Sequence, residues 1–194
     1  SSTSETGKQE LNDLLGDFHG FDTVKPVTLL RTLIMSCTQD KDIVFDFFSG
    51  SATTAHALFQ LNSEQNTRRK FIMVQYPEPC NGMSRIDGKK VLNICEIGKE
   101  RIRRAGDKIR SDHPDADIDI GFKVFRTADT NIKWNSIMDM GQINVNQLEY
   151  APDLVDFMPG ANDIDIVYEL MLRQRDVALS ETLEQLSDIG SRTY

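Results

Sequence analysis

Apolar and polar positions fall into blocks of different period along the chain. Residues 26–38, PVTLLRTLIMSCT, place Leu29, Leu30, Leu33, Ile34 and Cys37 at helical spacing. Pro26 suits the start of that helix, because its ring presets φ and its missing N–H would have no partner there. DIVFDFF is a short β-branched and aromatic run, the composition of a strand buried on both faces. After a Gly/Ser turn, ATTAHALFQLN reads as a helix with Ala52, Ala55, Leu58 and Phe59 on one side, and charged SEQNTRRK breaks it. FIMVQY predicts a second buried strand, residues 77–88 a loop, and residues 89–110 a long amphipathic helix. Val91, Ile94, Cys95, Ile102 and Ile109 contribute its apolar side. SDHPDAD ends it, and GFKVFRT predicts a third strand. Strands alternating with crossover helices imply an α/β fold with a parallel sheet.

The flanks are less patterned. Residues 1–10 are rich in Ser, Thr, Glu and Lys and predict a frayed lead. Trp134 falls in a loop or short helix over 131–140, and residues 163–176 and 179–187 predict two helices suited to docking. The division is a flexible lead (1–20), an α/β part (21–130) and a C-terminal helical segment (131–194).

Composition adds exclusions. With 39% apolar and 27% charged residues the chain can bury an ordinary core. No apolar run approaches the roughly 20 residues that span a bilayer, and no secretory leader pattern is present. Three widely spaced cysteines (Cys37, Cys80, Cys95) outside any CxxC pattern predict a reducing, cytoplasmic setting. His19, His56 and His113 lack partners at metal-ligand spacing, so no metal is expected. The net charge of -8 argues against a strong DNA-binding surface here, because phosphate contacts need clustered Lys and Arg. The basic run Lys99, Arg101, Arg103, Arg104, Lys108 and Arg110 reads more simply as a solvated helix face paired with nearby acids.

The chemistry concentrates at one turn. In IVFDFFSGSATTAHAL a strand ends at Asp46, a Gly/Ser turn follows and a helix opens directly. Helix N-terminal N–H groups then face a crevice at the strand's carboxyl end, where nucleotide-like ligands sit in parallel sheets. Asp46 suits a ligand's ammonium group, Phe48 its apolar parts, and Gly50 the turn; Thr53 and Thr54 can cap or hydrogen-bond. Only one of the three glycines of a dinucleotide fingerprint is present, and no Walker lysine. From spacing alone, a plain connector and a ligand loop both stand.

DFFSGSATTAHA closely resembles the DxFxGSGTT motif of amino-methyltransferases of the β arrangement, with Ala52 where the motif has its second glycine. Upstream, FDTVKPVTLLRTLI resembles the family's FxxxKPxxLxxxLI segment, matching at Lys25 and Pro26. RRKFIMVQYPEP, EIGKERIRRAGDKI and DIGFKVFRTADTNIKWN are similar to segments of the modification subunits of type III restriction systems, so the likeness covers roughly residues 11–135. The resemblance implies a partial Rossmann-like methyltransferase domain, a mostly parallel sheet flanked by helices, plus the C-terminal helical segment. It implies that S-adenosylmethionine is held by Lys25, Pro26, Asp46, Phe48, Gly50, Ser51, Ala52, Thr53 and Thr54. Gln75 or Glu78 would accept from the ribose, Gln75 matching the family's position better. It also implies an adenine N6-methyltransferase that acts on DNA as a homodimer with a restriction-helicase subunit.

The family's base-holding [DNS]PP[YFW] motif is missing, because the chain has no Pro-Pro pair. That motif and the target-recognition region are expected upstream of Ser1, so no catalytic residue is expected here and DNA contact is expected mainly from elsewhere. About three strands would leave a sheet edge and an apolar face uncovered. A non-catalytic assembly or regulatory module derived from such an enzyme is the alternative. A nucleotide-dependent oxidoreductase fits the missing glycines poorly.

Overall fold

The computed structural model describes residues 3–132, 157–174, 177, 181 and 183–190. They fall into two compact units, Ser1–Gly121 and Phe122–Tyr194.

The first unit is built on a strand–helix–strand crossover. Strand β1 (Ile43–Asp46) leads through a tight loop into a helix over Thr53–Gln65, which returns to β2 (Lys70–Met73). The strands pair in parallel, Ile43 opposite Lys70 and Asp46 opposite Met73. Two more helices precede this crossover: α1 (Ser4–Leu15) and α2 (Val27–Cys37), the crossover helix being α3. After it come a hairpin, β3 (Arg85–Ile86) and β4 (Lys89–Lys90), and the long α4 (Ile94–Asp112).

Two apolar clusters hold the unit. Val27 and Ile34 of α2 meet Ala57, Leu58 and Leu61 of α3, with Val44 and Phe71 packed from the strands. Leu11 and Leu15 of α1 meet Val24, Val91 and Ile97. α3 is buried nearly all round, not on one side only, because α2, α4 and the sheet each take a face of it. On α2 the buried positions are Val27 and Ile34; Leu29, Leu33 and Cys37 are exposed.

Several expectations are corrected. The polar lead is a helix: Thr3 caps it, and Leu11 and Leu15 are 0% and 2% exposed, so apolar positions four apart anchor it. Gly7 lets it approach the chain, since a Cβ there would lie 2.2 Å from the Val24 carbonyl oxygen. Its Glu10 carboxylate accepts the first N–H of α2, from Val27 at 2.8 Å. β1 is covered on one face only: Ile43 and Phe45 are 57% and 60% exposed, since α3 packs on the other side. The long helix begins at Ile94 rather than at residue 89, because Asp87 and Gly88 both take positive φ (49° and 75°) and turn the chain into the β3–β4 hairpin.

The segment GFKVFRT is not a strand. In the second unit, Phe125 instead meets Tyr168 edge-on at 5.5 Å, and Lys123 sits 5.4 Å from the same ring, so the segment serves a helix face instead of a ladder. That helix, α5 (Asp163–Gln174), buries Ile166 and Met171. Its Glu169 accepts from the Thr130 hydroxyl and the Asn131 N–H, which hold its carboxyl down at about 2. Residues 183–187 are not helical; 179, 180, 182 and Trp134 lie outside the described residues.

Candidate functional site

The loop between β1 and α3 is shaped by three left-handed or locally bonded residues. β1 continues its pairing through the Val74 N–H to the Asp46 carbonyl, 2.9 Å, and Ser49 N–H returns to the Val74 carbonyl at 3.2 Å. Asp46 then closes the turn from within: its carboxylate accepts from the Phe48 N–H at 3.2 Å and the Thr54 hydroxyl at 2.5 Å. Gly50 takes φ 52° and Ala52 φ 61°. Glycine reaches this region freely, whereas alanine there brings its Cβ against its own carbonyl, at a cost of roughly 1 kcal/mol. Ala52 is also the residue before α3, and no side chain caps that helix, so its first-turn N–H groups face the loop without a side-chain acceptor.

Each expected site residue has a definite place. Phe48 is 78% exposed and stacks obliquely on Phe47, ring centres 5.1 Å apart. Gly50 faces open space, since a Cβ added there would meet nothing within 4 Å. Gln75 reaches the loop: its amide oxygen accepts the Gly50 N–H at 2.7 Å, and its amide nitrogen donates to the Tyr76 carbonyl at 3.0 Å. Glu78 has an exposed side chain and joins the frame through its backbone, its carbonyl accepting from Ile94 N–H. Ser51, Thr53 and Thr54 are buried. Lys25 is exposed and Pro26 buried at the start of α2; no hydrogen bond joins either to the loop among the described residues.

The residue that sequence reasoning missed is Arg101. Its place in a basic run suggested a solvated face, yet it is 0% exposed, and its Nη1 donates to the Ser51 and Thr53 hydroxyls at 2.9 and 2.7 Å. A signal existed: Arg101 lies inside the stripe Ile97, Gly98, Ile102, Ala105, Gly106 and Ile109, which is the buried side of α4. Gly98, one turn earlier, brings α4 against the loop; a Cβ there would lie 3.3 Å from the Gly50 carbonyl oxygen. Burial lowers the Arg101 pKa to about 10, so the guanidinium stays charged at neutral pH. His56, also buried, is driven down to about 3 by burial and then by the charges of Arg101 and Lys108, and is neutral. Its Nε2 accepts from Gln60 at 3.3 Å.

No cluster of His, Cys, Asp or Glu that could hold a metal occurs among the described residues. A concavity of about 560 Å³ lies elsewhere, between Asn12, Phe18, Arg85 and Arg104, and shares no residue with the loop. No described helix is long and apolar enough to cross a membrane.

A parallel β1–α3–β2 unit carries an acid-closed, glycine-turned loop at the carboxyl end of its first strand, the position at which nucleotide-type ligands sit in open parallel sheets. The chain belongs to the DNA methylase family, whose model matches residues 1–105. It is similar to modification subunits of type III restriction-modification enzymes. Identity is 39% over 127 residues (66% of this chain) with the StyLTI Mod subunit of Salmonella typhimurium, covering 19% of that protein. It is 36% over 118 residues (60% of this chain) with the EcoP15I Mod subunit of Escherichia coli, covering 17% of it. It is 36% over 127 residues with the EcoPI Mod subunit of Escherichia phage P1, 66% of this chain and 19% of that protein. The chain thus spans about a fifth of the length of the curated relatives it matches.

Proposed function

We propose that this chain supplies the S-adenosylmethionine-binding part of a site-specific DNA adenine N6-methyltransferase of a type III restriction-modification system. The observation that carries the reading is the loop of residues 46–54, open at Gly50 and closed from within by Asp46, at the carboxyl end of a parallel strand. The residues fit such a cofactor. Uncapped N–H groups of α3 suit a carboxylate, the Asp46 carboxylate has lone pairs left for an ammonium group, and the exposed Phe48 ring offers an apolar surface. When bound, the cofactor supplies an activated methyl on its sulfonium. Asp46 orients the amino-acid end, Ser51 and Thr53 fix the turn, and Gln75 sets the distance between loop and β2. Gln75 can still meet the ribose through lone pairs of its amide oxygen, with Glu78 the alternative acceptor. Lys25 and Pro26, at the start of α2, would serve the same cofactor, as the family likeness implies.

On this reading the chain, which has no Pro-Pro pair, serves the cofactor, and the base is handled by another segment. On the same reading the domain is part of a Rossmann-like sheet, and the intact subunit is a cytoplasmic homodimer that works on DNA with a restriction-helicase subunit. Within this chain the proposed parts are a lead over 1–20 that packs as α1, a cofactor-binding region over 21–130 and a C-terminal docking segment over 131–194.

Calorimetric titration of the chain with S-adenosylmethionine is the test. Saturable binding that weakens at least tenfold in Asp46→Ala supports the reading, a tenfold loss being about 1.4 kcal/mol. No heat at millimolar ligand from folded protein would leave the assembly module as the better account.

A further inference from the structure

The core of the first unit holds two buried arginines, and they are treated differently. Arg69 is 7% exposed and spends its guanidinium on the Thr38 hydroxyl and carbonyl, the Gln65 side chain and the Thr67 hydroxyl. Arg101 is fully buried and, among the described residues, bonds only through Nη1, with no partner for Nε and Nη2. Among the described residues no carboxylate forms an ion pair with it, and the charge of Glu10 acts on it without a salt bridge. A buried charge in that condition destabilises a core relative to an apolar side chain of the same size, so packing does not explain it. Such groups cluster where a site needs them. The two hydroxyls that Arg101 holds belong to Ser51 and Thr53, the neighbours on either side of Ala52, whose backbone sits in the left-handed region.

We infer that Arg101 is a positioning residue for the cofactor loop: its guanidinium clamps Ser51 and Thr53 and so holds Ala52 in a backbone conformation that glycine would adopt unaided. The clamp acts from α4, and Gly98 gives that helix the close approach the clamp needs. The role explains how a loop with alanine at this position keeps a glycine-like turn. Its consequence for ligand affinity rests on the cofactor reading above; the clamp itself does not.

The test uses the full chain as wild type, Arg101→Met, Ala52→Gly and the double variant. Amide hydrogen exchange is followed without ligand at Gly50 and Ala52, whose N–H groups are bonded to the Gln75 side chain and the Ser49 carbonyl. Arg101→Met is expected to speed exchange at these two amides at least tenfold while Leu58 and Phe59 in α3 keep their wild-type rates. Adding Ala52→Gly is expected to restore slow exchange, a rescue that a merely structural arginine would not give. S-adenosylmethionine affinity should fall tenfold in Arg101→Met and recover to within threefold in the double variant. Unchanged loop exchange in Arg101→Met, acceleration spread evenly through α3, or no rescue by glycine each overturns the clamp. If Arg101→Met does not fold, Thr53→Val removes one acceptor and leaves the charge in place; exchange at Ala52 should then rise at least threefold, and no rise overturns the proposal. Folded wild-type protein that binds no S-adenosylmethionine overturns the cofactor reading instead, and the exchange data judge the clamp separately.

Discussion

The two ends of α3 show opposite ways of building a turn. At its C-terminal end, Asn66 adopts a left-handed cap, and the Asn62 side chain stitches the return to β2. It donates to the Arg69 carbonyl at 2.8 Å and accepts from the Arg69 N–H at 3.1 Å and the Thr67 hydroxyl at 3.0 Å. Arg69 then satisfies its own donors on Gln65 and Thr67 of this turn and on Thr38 at the end of α2. At the N-terminal end the helix has no side-chain cap, an alanine holds a strained φ, and the arginine behind it has two idle nitrogens. One end commits the Asn62 and Arg69 side chains to architecture; the other leaves donors unspent and backbone under strain. Unspent donors and strain suit the ligand loop proposed above, and the Asn62–Arg69 network fixes the opposite end of the helix.

Three perturbations probe this contrast. The largest should come at the closed end: Asn62→Ala strands the Arg69 N–H and carbonyl in a buried turn, and urea unfolding should show a loss of about 3 kcal/mol. A loss below about 1 kcal/mol would mean that the closed end is no firmer than the open one. Next is the buried His56. Its pKa falls from 6.5 to about 3 on folding, so the unfolded chain takes up the proton first as pH drops. Stability is therefore full above pH 6.5 and declines below it, by up to about 1.4 kcal/mol per pH unit, or roughly 2 kcal/mol at pH 5. His56→Gln should remove that part of the slope in parallel denaturation curves, and an unaltered slope would place the acid sensitivity elsewhere. The smallest effect belongs to the open end: Ala52→Gly relieves the left-handed alanine but loosens the unfolded chain, so stability should rise by about 0.5 kcal/mol, read as a small increase in Tm. A decrease would show that the turn carries no strain.

The β1–loop–α3–β2 unit was legible because local pattern and local chemistry agree there. A short apolar run, a Gly/Ser turn and an alanine-rich helix specify one another within about 30 residues of chain. Asp46, Gly50, the two threonines and Gln75 lie together as that order implies, although Asp46 and Gln75 serve the loop itself in a way spacing does not announce. Arg101 was illegible for a different reason. It sits 48 residues from Thr53, and its charged neighbours disguise a position that helical period puts on the buried stripe. The Asp87–Gly88 hairpin was lost because its strands have two residues each, too short for any periodicity to register. α1 was lost because polar composition hid two leucines four apart that do most of its anchoring. The expectation of strands covered on both sides assumed neighbours that the described residues do not supply, and an uncovered face was itself anticipated from the low strand count.

Gly7 carries a consequence of another kind. Because a single methyl there would collide with the main chain at Val24 and Lys25, the first helix is registered against the rest of the unit by the absence of a side chain. A foreign amphipathic helix grafted in its place could match every leucine and still stand off by an atom's width, lifting Glu10 away from the amide it serves. Substitution tolerance along this segment should thus be set by bulk at one pitch of the helix rather than by hydrophobicity, a constraint that no inventory of reactive groups would reveal.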